Sequence, residues 1–339
     1  MRSVFVTGLM LWLLVGPALA DPLRVATYNA ALTRRGPGLL LQDILKGEDQ
    51  VQAAVAMIVA ARPDILLLNK FDYDFGGAAL DAFAESLGAA GLEYPHRFAA
   101  RPNTGWATGL DLDGDGRLGT ADDAQGYGRF AGAGGMAILS RHPLGEVRDF
   151  SGFLWRDLPG ALLPQVDGAP FPSAAVFEEQ RLASVAAWEV AVLAPTGRLG
   201  LLAFHAGPPV FGGPHDRNLR RNHDEVSFWR ALLDGELPLA PPEPPFVLLG
   251  GANLDPERGD GMGQAIRALL AHPQLHDPLP GSDSVRWERL GPMRVDYVLP
   301  SWPAEGAGLL WPEDALGPER EALASAHALV WVDLRLPAP

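Results

Sequence analysis

Apolar residues fall along this chain in two rhythms. Residues 23–29, Leu-Arg-Val-Ala-Thr-Tyr-Asn, alternate over a short β-rich stretch and predict a strand. A loop with Gly36, Pro37 and Gly38 follows. Residues 50–61 place Ala, Val and Ile at helical spacing, and Pro63 ends that helix. Residues 64–71 contain Ile65-Leu66-Leu67-Leu68, the mark of a strand buried on both faces. A second helix is predicted over 78–90. Residues 100–135 are rich in Gly and Asp and irregular, and 136–140 read as a strand. A Pro-rich loop covers 156–175. Further strands are expected at 188–193, 200–205, 246–250, 295–299 and 329–334, with a helix at 223–233. Five prolines between 235 and 245 mark a surface linker. Strands outnumber helices in mixed order, and no repeat or break in composition divides the chain. The expectation is an α/β fold of two packed sheets flanked by helices.

Composition changes this picture at the N-terminus. Arg2, an apolar run from Val4 to Val15 and the close Ala18-Leu19-Ala20 form a secretory signal, cleaved before Asp21. The run is short of the ~20 residues of a membrane span, which leaves an uncleaved anchor as the alternative. The reading is a signal over 1–20 and one domain over 21–339, periplasmic or secreted and free of the membrane once the signal is removed. The chain of 339 residues has no cysteine, so no disulfide supports it although the compartment allows one. With 27 basic and 41 acidic residues the formal charge is −14, which repels nucleic acid at long range but leaves room for a local basic cleft. Nothing in the pattern speaks to oligomeric state.

One motif stands out in the irregular middle. Asp111-Leu112-Asp113-Gly114-Asp115-Gly116 runs on to Asp122, with acids at loop positions one, three, five and twelve and Gly at six. That is the arrangement of a calcium loop, in which Arg117 offers its backbone carbonyl. Asp122 is shorter than the bidentate Glu usual at position twelve, and Asp123 is an alternative ligand. The flanks lack paired helices, so the loop reads as a structural clip and not a sensor; a solvated acidic loop is the bland alternative. Walker, dinucleotide-binding, nucleophile-elbow and zinc-spaced His patterns are all missing. Trp155, Trp188, Trp229, Trp287, Trp302 and Trp311 read as packing residues.

Four segments then fall in a telling order: Thr27-Tyr28-Asn29; Pro63-Asp64 through Asn69-Lys70; Gly250-Gly251-Ala252-Asn253-Leu254-Asp255; and Arg294-Val295-Asp296-Tyr297 with Ser325-Ala326-His327. Together they resemble the endonuclease/exonuclease/phosphatase superfamily over about residues 23–334. The calcium-like loop and the stretch 217–224 are similar to an exported bacterial branch of it. The resemblance implies a DNase-like four-layer sandwich, two mixed β-sheets with helices outside, and a site where the strands end. It also implies a divalent ion on carboxylates, polarising a phosphoryl oxygen, with a His–Asp pair managing water.

Position by position, Asn29, Asn69, Asn253, Asp296, His327 and the strand-end His205 match the family pattern. Three positions do not. Lys70 stands where the family has its metal-binding Glu, Gly251 where it has the Asp of Gly-Asp-x-Asn, and Ala326 where it has the Asp of Ser-Asp-His. A cation beside a cation site opposes binding by about 4 kcal/mol at 4 Å in an effective dielectric of 20. Weak or absent Mg²⁺ or Mn²⁺ binding is therefore expected. The catalytic-type positions retained are His205, Asp296 and His327. The expected ligand cleft is formed by Asn29, Asn69, Lys70, Asn253, Arg217 and Arg221, for an anionic or phosphorylated small molecule. Two competing readings stand: an active phosphoesterase with the ion on Asp72, Asp74 or Asp255, and an interaction module whose cleft is blocked by a Lys70–Asp72 ion pair. Strict alternation would put Lys70 and Asp72 on one face.

Overall fold

The computed structural model describes residues 21–337, so the expected signal segment lies outside the described residues. The chain opens with strand β1 (Leu23–Leu32), then helices α1 (Leu39–Lys46) and α2 (Asp49–Ala61), strand β2 (Ile65–Phe71) and helix α3 (Ala78–Ala89). Strands β3 (His96–Phe98), β4 (Gly135–Ser140) and β5 (Leu144–Asp149) follow, then a small ribbon, β6 (Gln165–Val166) and β7 (Ala169–Pro170), and helix α4 (Ala174–Glu179). The second half holds β8 (Ala186–Ala194), β9 (Gly197–His205), α5 (Arg217–Leu233), β10 (Phe246–Gly251) and α6 (Gln264–Leu270). It closes with the hairpin β11 (Val285–Trp287) and β12 (Gly291–Met293), then β13 (Asp296–Pro300), β14 (Gly306–Leu310), α7 (Pro312–Leu316) and β15 (Leu329–Leu334).

Two mixed sheets carry the fold. One has the order β14-β15-β1-β2-β4-β3, the other β13-β10-β9-β8-β5. Each contains one parallel pair, β1 with β2 and β9 with β10. Alternation along the strands sorts side chains between layers. Val25, Ile65, Leu67, Ile138 and Val332 from the first sheet meet Trp188, Leu201, Ala203, Val247 and Leu249 from the second in the central layer. Tyr28, Leu66, Leu68 and Leu139 face outward onto α1, α2 and α3, where Leu40, Ile44, Met57, Ile58 and Phe83 cover them. Leu202, Phe204, Leu248 and Leu299 face α5 and α6 on the opposite side, under Phe228, Trp229, Leu232 and Ile266. The result is the four-layer sandwich expected. Among the described residues no helix is long and apolar enough to cross a membrane.

Local chemistry sets the boundaries. The Glu48 carboxylate accepts the Val51 N–H at 3.2 Å and caps α2, which stops at Arg62 in the left-handed region just before Pro63. Some elements escaped the pattern for physical reasons. Helix α1 was expected as loop; it buries only Leu40 and Ile44, one turn apart. Strand β5 lies at a sheet edge with its side chains largely in solvent, so its apolar alternation is faint. Helix α5 begins at Arg217 instead of residue 223, because its first turns bury Arg217, Arg221 and Asn222 in place of apolar groups. Strand β14 and helix α6 were also unforeseen.

Candidate functional site

The strand ends of the central layer bring the polar residues together. Asn29 pairs in register with Asn69, and Gly251 lies between His205 and Asp296. His327, just before β15, joins the two groups. Its Nδ1 lies 2.6 Å from Asp296 Oδ2, and its Nε2 lies 3.3 Å from the Asn29 amide nitrogen. Because that amide can only donate, Nε2 is the acceptor and Nδ1–H donates to Asp296. Ser284 fixes the carboxylate: its hydroxyl donates to Asp296 Oδ2 at 3.1 Å and accepts the Asp296 and Val295 N–H groups. Sequence reading missed Ser284, which carries no motif. The His–Asp pairing expected for His327 and Asp296 is thus present.

Lys70 reaches this site by a break in alternation. Its φ is +59°, and the β2–β4 register shifts between Asn69 and Phe71. The matching irregularity in β1 falls between Asn29 and Leu32, with Ala31 at φ +53°. A bulge of this kind re-aims a side chain at a sheet end. Phe71 therefore takes the outward face with Leu66 and Leu68, and Lys70 turns to the cleft. Burial pulls the Lys70 ammonium below its ordinary pKa, with Asp72 opposing. Among the described residues the ammonium has no ion pair or hydrogen bond, so the Lys70–Asp72 ion pair of the competing interaction-module reading is not formed.

Asp72 is engaged elsewhere. Its oxygens accept the N–H groups of Arg34 and Gly134, each at 2.7 Å. Asp74 takes the Ala78 and Ala79 N–H groups at 2.9 and 2.8 Å, capping α3. Asp255 holds the N–H groups of Glu257, Arg258 and Arg294 within 2.9 Å, and the Arg258 guanidinium at 3.0 Å. None of the three carboxylates proposed as substitute metal ligands is free to turn toward the strand ends without breaking backbone bonds.

Gly251 is more than a missing side chain. A Cβ there would lie 2.5 Å from His205 Nδ1 and 2.8 Å from its Cε1, closer than any such contact can be. The imidazole has taken the room a family Asp would need. His205 is 1% exposed and neither ring nitrogen has a hydrogen-bond partner. Burial, then the nearby Lys70 and His327, hold it neutral, its pKa well below the ordinary value of 6.5. Asn69 Oδ1 and Asp296 Oδ1 are also buried without partners, while Asn69 Nδ2 donates to Thr27 at 3.0 Å. Ala326 presents only a methyl group, and it lies exposed beside the buried His327. Amides, an ammonium, a sequestered imidazole and the one carboxylate of Asp296, itself tied to His327 and Ser284, are a poor fit to a Mg²⁺ or Mn²⁺ ion, which asks for several carboxylate oxygens.

Lys70 opens onto a cleft of about 550 Å³, whose walls include Arg217, Asn218, Asp122, Tyr127, Phe211 and Glu225. Arg217 is 8% exposed; among the described residues its guanidinium makes one hydrogen bond, a long 3.5 Å contact to the Asp122 carbonyl, and its buried Nε has no partner. Arg221, expected with it as a ligand group, is structural. Its Nε and Nη2 donate to the carbonyls of Leu182, Gln125, Arg181 and Ala183. Burial brings its pKa down to about 10 even with Glu225 beside it. Asn253, at φ +50°, ties its amide to the Ala206 carbonyl at 2.7 Å and faces an adjoining cleft of about 580 Å³ with Trp287, Leu290 and Met293. Tyr127 and Phe211 were not foreseen; no motif marks an exposed aromatic ring.

The acidic loop forms a compact turn. One carboxylate oxygen each from Asp111, Asp113 and Asp115 lies within 4.8 Å of the others, a donor set suited to a hard cation. Gly114 and Gly116, at φ +75° and +81°, give the turn its backbone, and their N–H groups meet Asp111 at 2.6 and 2.9 Å. Asp122 lies outside that trio. Asp123 is no substitute: its oxygens accept Leu112 N–H, Thr120 N–H and the Thr120 hydroxyl.

A two-sheet sandwich whose strand ends gather a His–Asp pair and Asn side chains beside an open cleft is the frame of a phosphoesterase. The Endonuclease/Exonuclease/phosphatase family model matches residues 26–327, and the chain belongs to that family. Among solved structures it is similar to an endonuclease/exonuclease/phosphatase from Beutenbergia cavernae DSM 12333, at 21% identity over 94% of this chain and 72% of the other, with a TM-score of 0.57. A family protein from Leptotrichia buccalis C-1013-b gives 12% identity, 92% and 99% coverage and a TM-score of 0.51. A beta toxin variant from Staphylococcus aureus with bound magnesium ions gives 12%, 92%, 99% and 0.50. No curated protein matches the sequence.

Proposed function

We propose that this chain is an exported, catalytically impaired member of the family that binds a small anionic or phosphorylated ligand in the Lys70 cleft without hydrolysing it. The observation that carries this reading is the fate of the carboxylates. Asp72, Asp74 and Asp255 are each held by at least two backbone N–H groups, so the metal site lacks both its original acids and a replacement. Lys70 supplies a fixed positive charge on the same strand end instead. Export rests on the segment from Arg2 to Ala20. Asp111, Asp113 and Asp115, with the Arg117 carbonyl, would hold a structural Ca²⁺ in a loop whose later residue Asp122 reaches the cleft wall.

The retained Asn29–His327–Asp296 chain favours a second reading, an active phosphoesterase. Both are tested by titrating the mature chain with Ca²⁺ and then Mg²⁺ or Mn²⁺ in a calorimeter, beside a generic phosphodiesterase and phosphatase assay. One calcium event, no second metal and no turnover support the impaired reading. A second metal event with turnover that is lost in His327→Ala sinks it.

A further inference from the structure

The cleft that Lys70 enters has two features beyond its charge. Its cations are unequal in availability. Arg221 is saturated by carbonyls and faces Glu225, itself held by Ser184 and Gly207 N–H groups. Among the described cations that line the cleft, Lys70 and Arg217 remain to meet a ligand, Arg217 under the opposing charges of Asp113, Asp122 and Asp123. Two separated positive groups suit a dianion better than a monoanion.

Its second feature is aromatic. Tyr127 and Phe211 line this same cleft and are 60% and 88% exposed. Phe211 sits at φ +66° within Gly207-Pro208-Pro209-Val210-Phe211-Gly212-Gly213. A bulky residue in the left-handed region is strained, and here the strain presents a large ring to water. Neither packing nor backbone comfort accounts for it. Exposed rings flanking a cationic pocket serve as stacking surfaces for a planar group.

We propose that the ligand is a small aryl phosphomonoester, its phosphate on Lys70 and Arg217 and its planar ring against Tyr127 and Phe211. This deepens the reading above, since it names the ligand class of the same cleft. A volume of about 550 Å³ accommodates one such molecule. The formal charge of −14 and the Asp122 rim disfavour a polyanionic strand.

The test is calorimetric titration of the mature chain, without divalent metal other than Ca²⁺, using 4-nitrophenyl phosphate, butyl phosphate, inorganic phosphate and 4-nitrophenol. The aryl phosphate should bind at least tenfold more tightly than the other three. Phe211→Ala and Tyr127→Ala, at exposed positions that leave the core intact, should each lose roughly tenfold for the aryl phosphate, the order of one stacking contact. They should leave inorganic phosphate unchanged, whereas Lys70→Met should weaken both. Equal binding of aryl, butyl and inorganic phosphate, or indifference to Phe211→Ala, overturns the aryl assignment while the anion-binding reading stands. Release of 4-nitrophenol on adding Mg²⁺ or Mn²⁺ overturns the impaired-enzyme reading instead. No binding of any phosphate overturns both.

Discussion

Gly251→Ala is the sharpest probe of how His205 packs against the strand ends. The added methyl would sit 2.5 Å from His205 Nδ1, so the imidazole has to leave its place. The ring is buried and cannot swing into solvent. Forcing a methyl into a packed interior costs about 1–3 kcal/mol. At roughly 2–4 °C per kcal/mol the melting temperature should fall by about 2–12 °C. Gly251 is not in the left-handed region, so backbone strain does not contribute, and fewer unfolded conformers would alone favour Ala by about 0.4–1 kcal/mol. In a His205→Ala background the obstruction is gone, and Gly251→Ala should become neutral or mildly stabilising. The assay is a double-mutant cycle by thermal and urea unfolding, with an expected coupling of about 0.5–3 kcal/mol. If Gly251→Ala costs the same with and without the imidazole, His205 does not fill the vacated position and the account of a repacked site is wrong. If the account holds, restoring Gly251→Asp alone cannot rebuild a metal ligand, because His205 must be displaced as well.

Other outcomes follow from the same geometry. His205 is held neutral in the fold, so below pH 6.5 the unfolded chain binds the extra proton; stability should decline as pH falls through that value, and His205→Asn should flatten this part of the urea-midpoint profile. Lys70 has a lowered pKa, so the unfolded chain again binds more protons between that lowered value and 10.5; stability should rise with pH across this window, and Lys70→Met should remove the rise. Arg221→Met leaves Glu225 buried without its cation and four carbonyls without their donor; a loss of about 3–5 kcal/mol in unfolding free energy is expected. If Ca²⁺ fills the acidic loop with a dissociation constant of 10⁻⁴–10⁻³ M, 10 mM Ca²⁺ should stabilise by about 1.4–2.7 kcal/mol, and Asp111→Asn should abolish the shift in melting temperature.

The architecture was legible because strand interiors obey one rule. Ile65-Leu66-Leu67-Leu68 must be covered on both faces, and a second sheet on one side with helices on the other is what covers them. Site residues at strand ends inherit that regularity, so Asn29, Asn69, His205, Asp296 and His327 converge where the alternation leads them. What could not be read was set by long-range backbone bonding. Periodicity puts Lys70 and Asp72 on one face, but the left-handed turn at Lys70 separates them, and Asp72 answers to the amides of Arg34 and Gly134 far along the chain. The basic cluster at 217–221 likewise divided. Arg221 became a buried tie between carbonyls, and Arg217, one turn earlier, lines the cleft.

That division bears on what the lost carboxylates mean. Here the space at Gly251 is filled by His205, the bulge aims Lys70 into the cleft, and buried acceptors on Asn69 and Asp296 have no hydrogen-bond partner among the described residues. On the proposed reading, the substitutions exchange a cation held by acids for a cation carried on the chain, and the strand ends that position a metal elsewhere in the family would here position the Lys70 ammonium toward an anion.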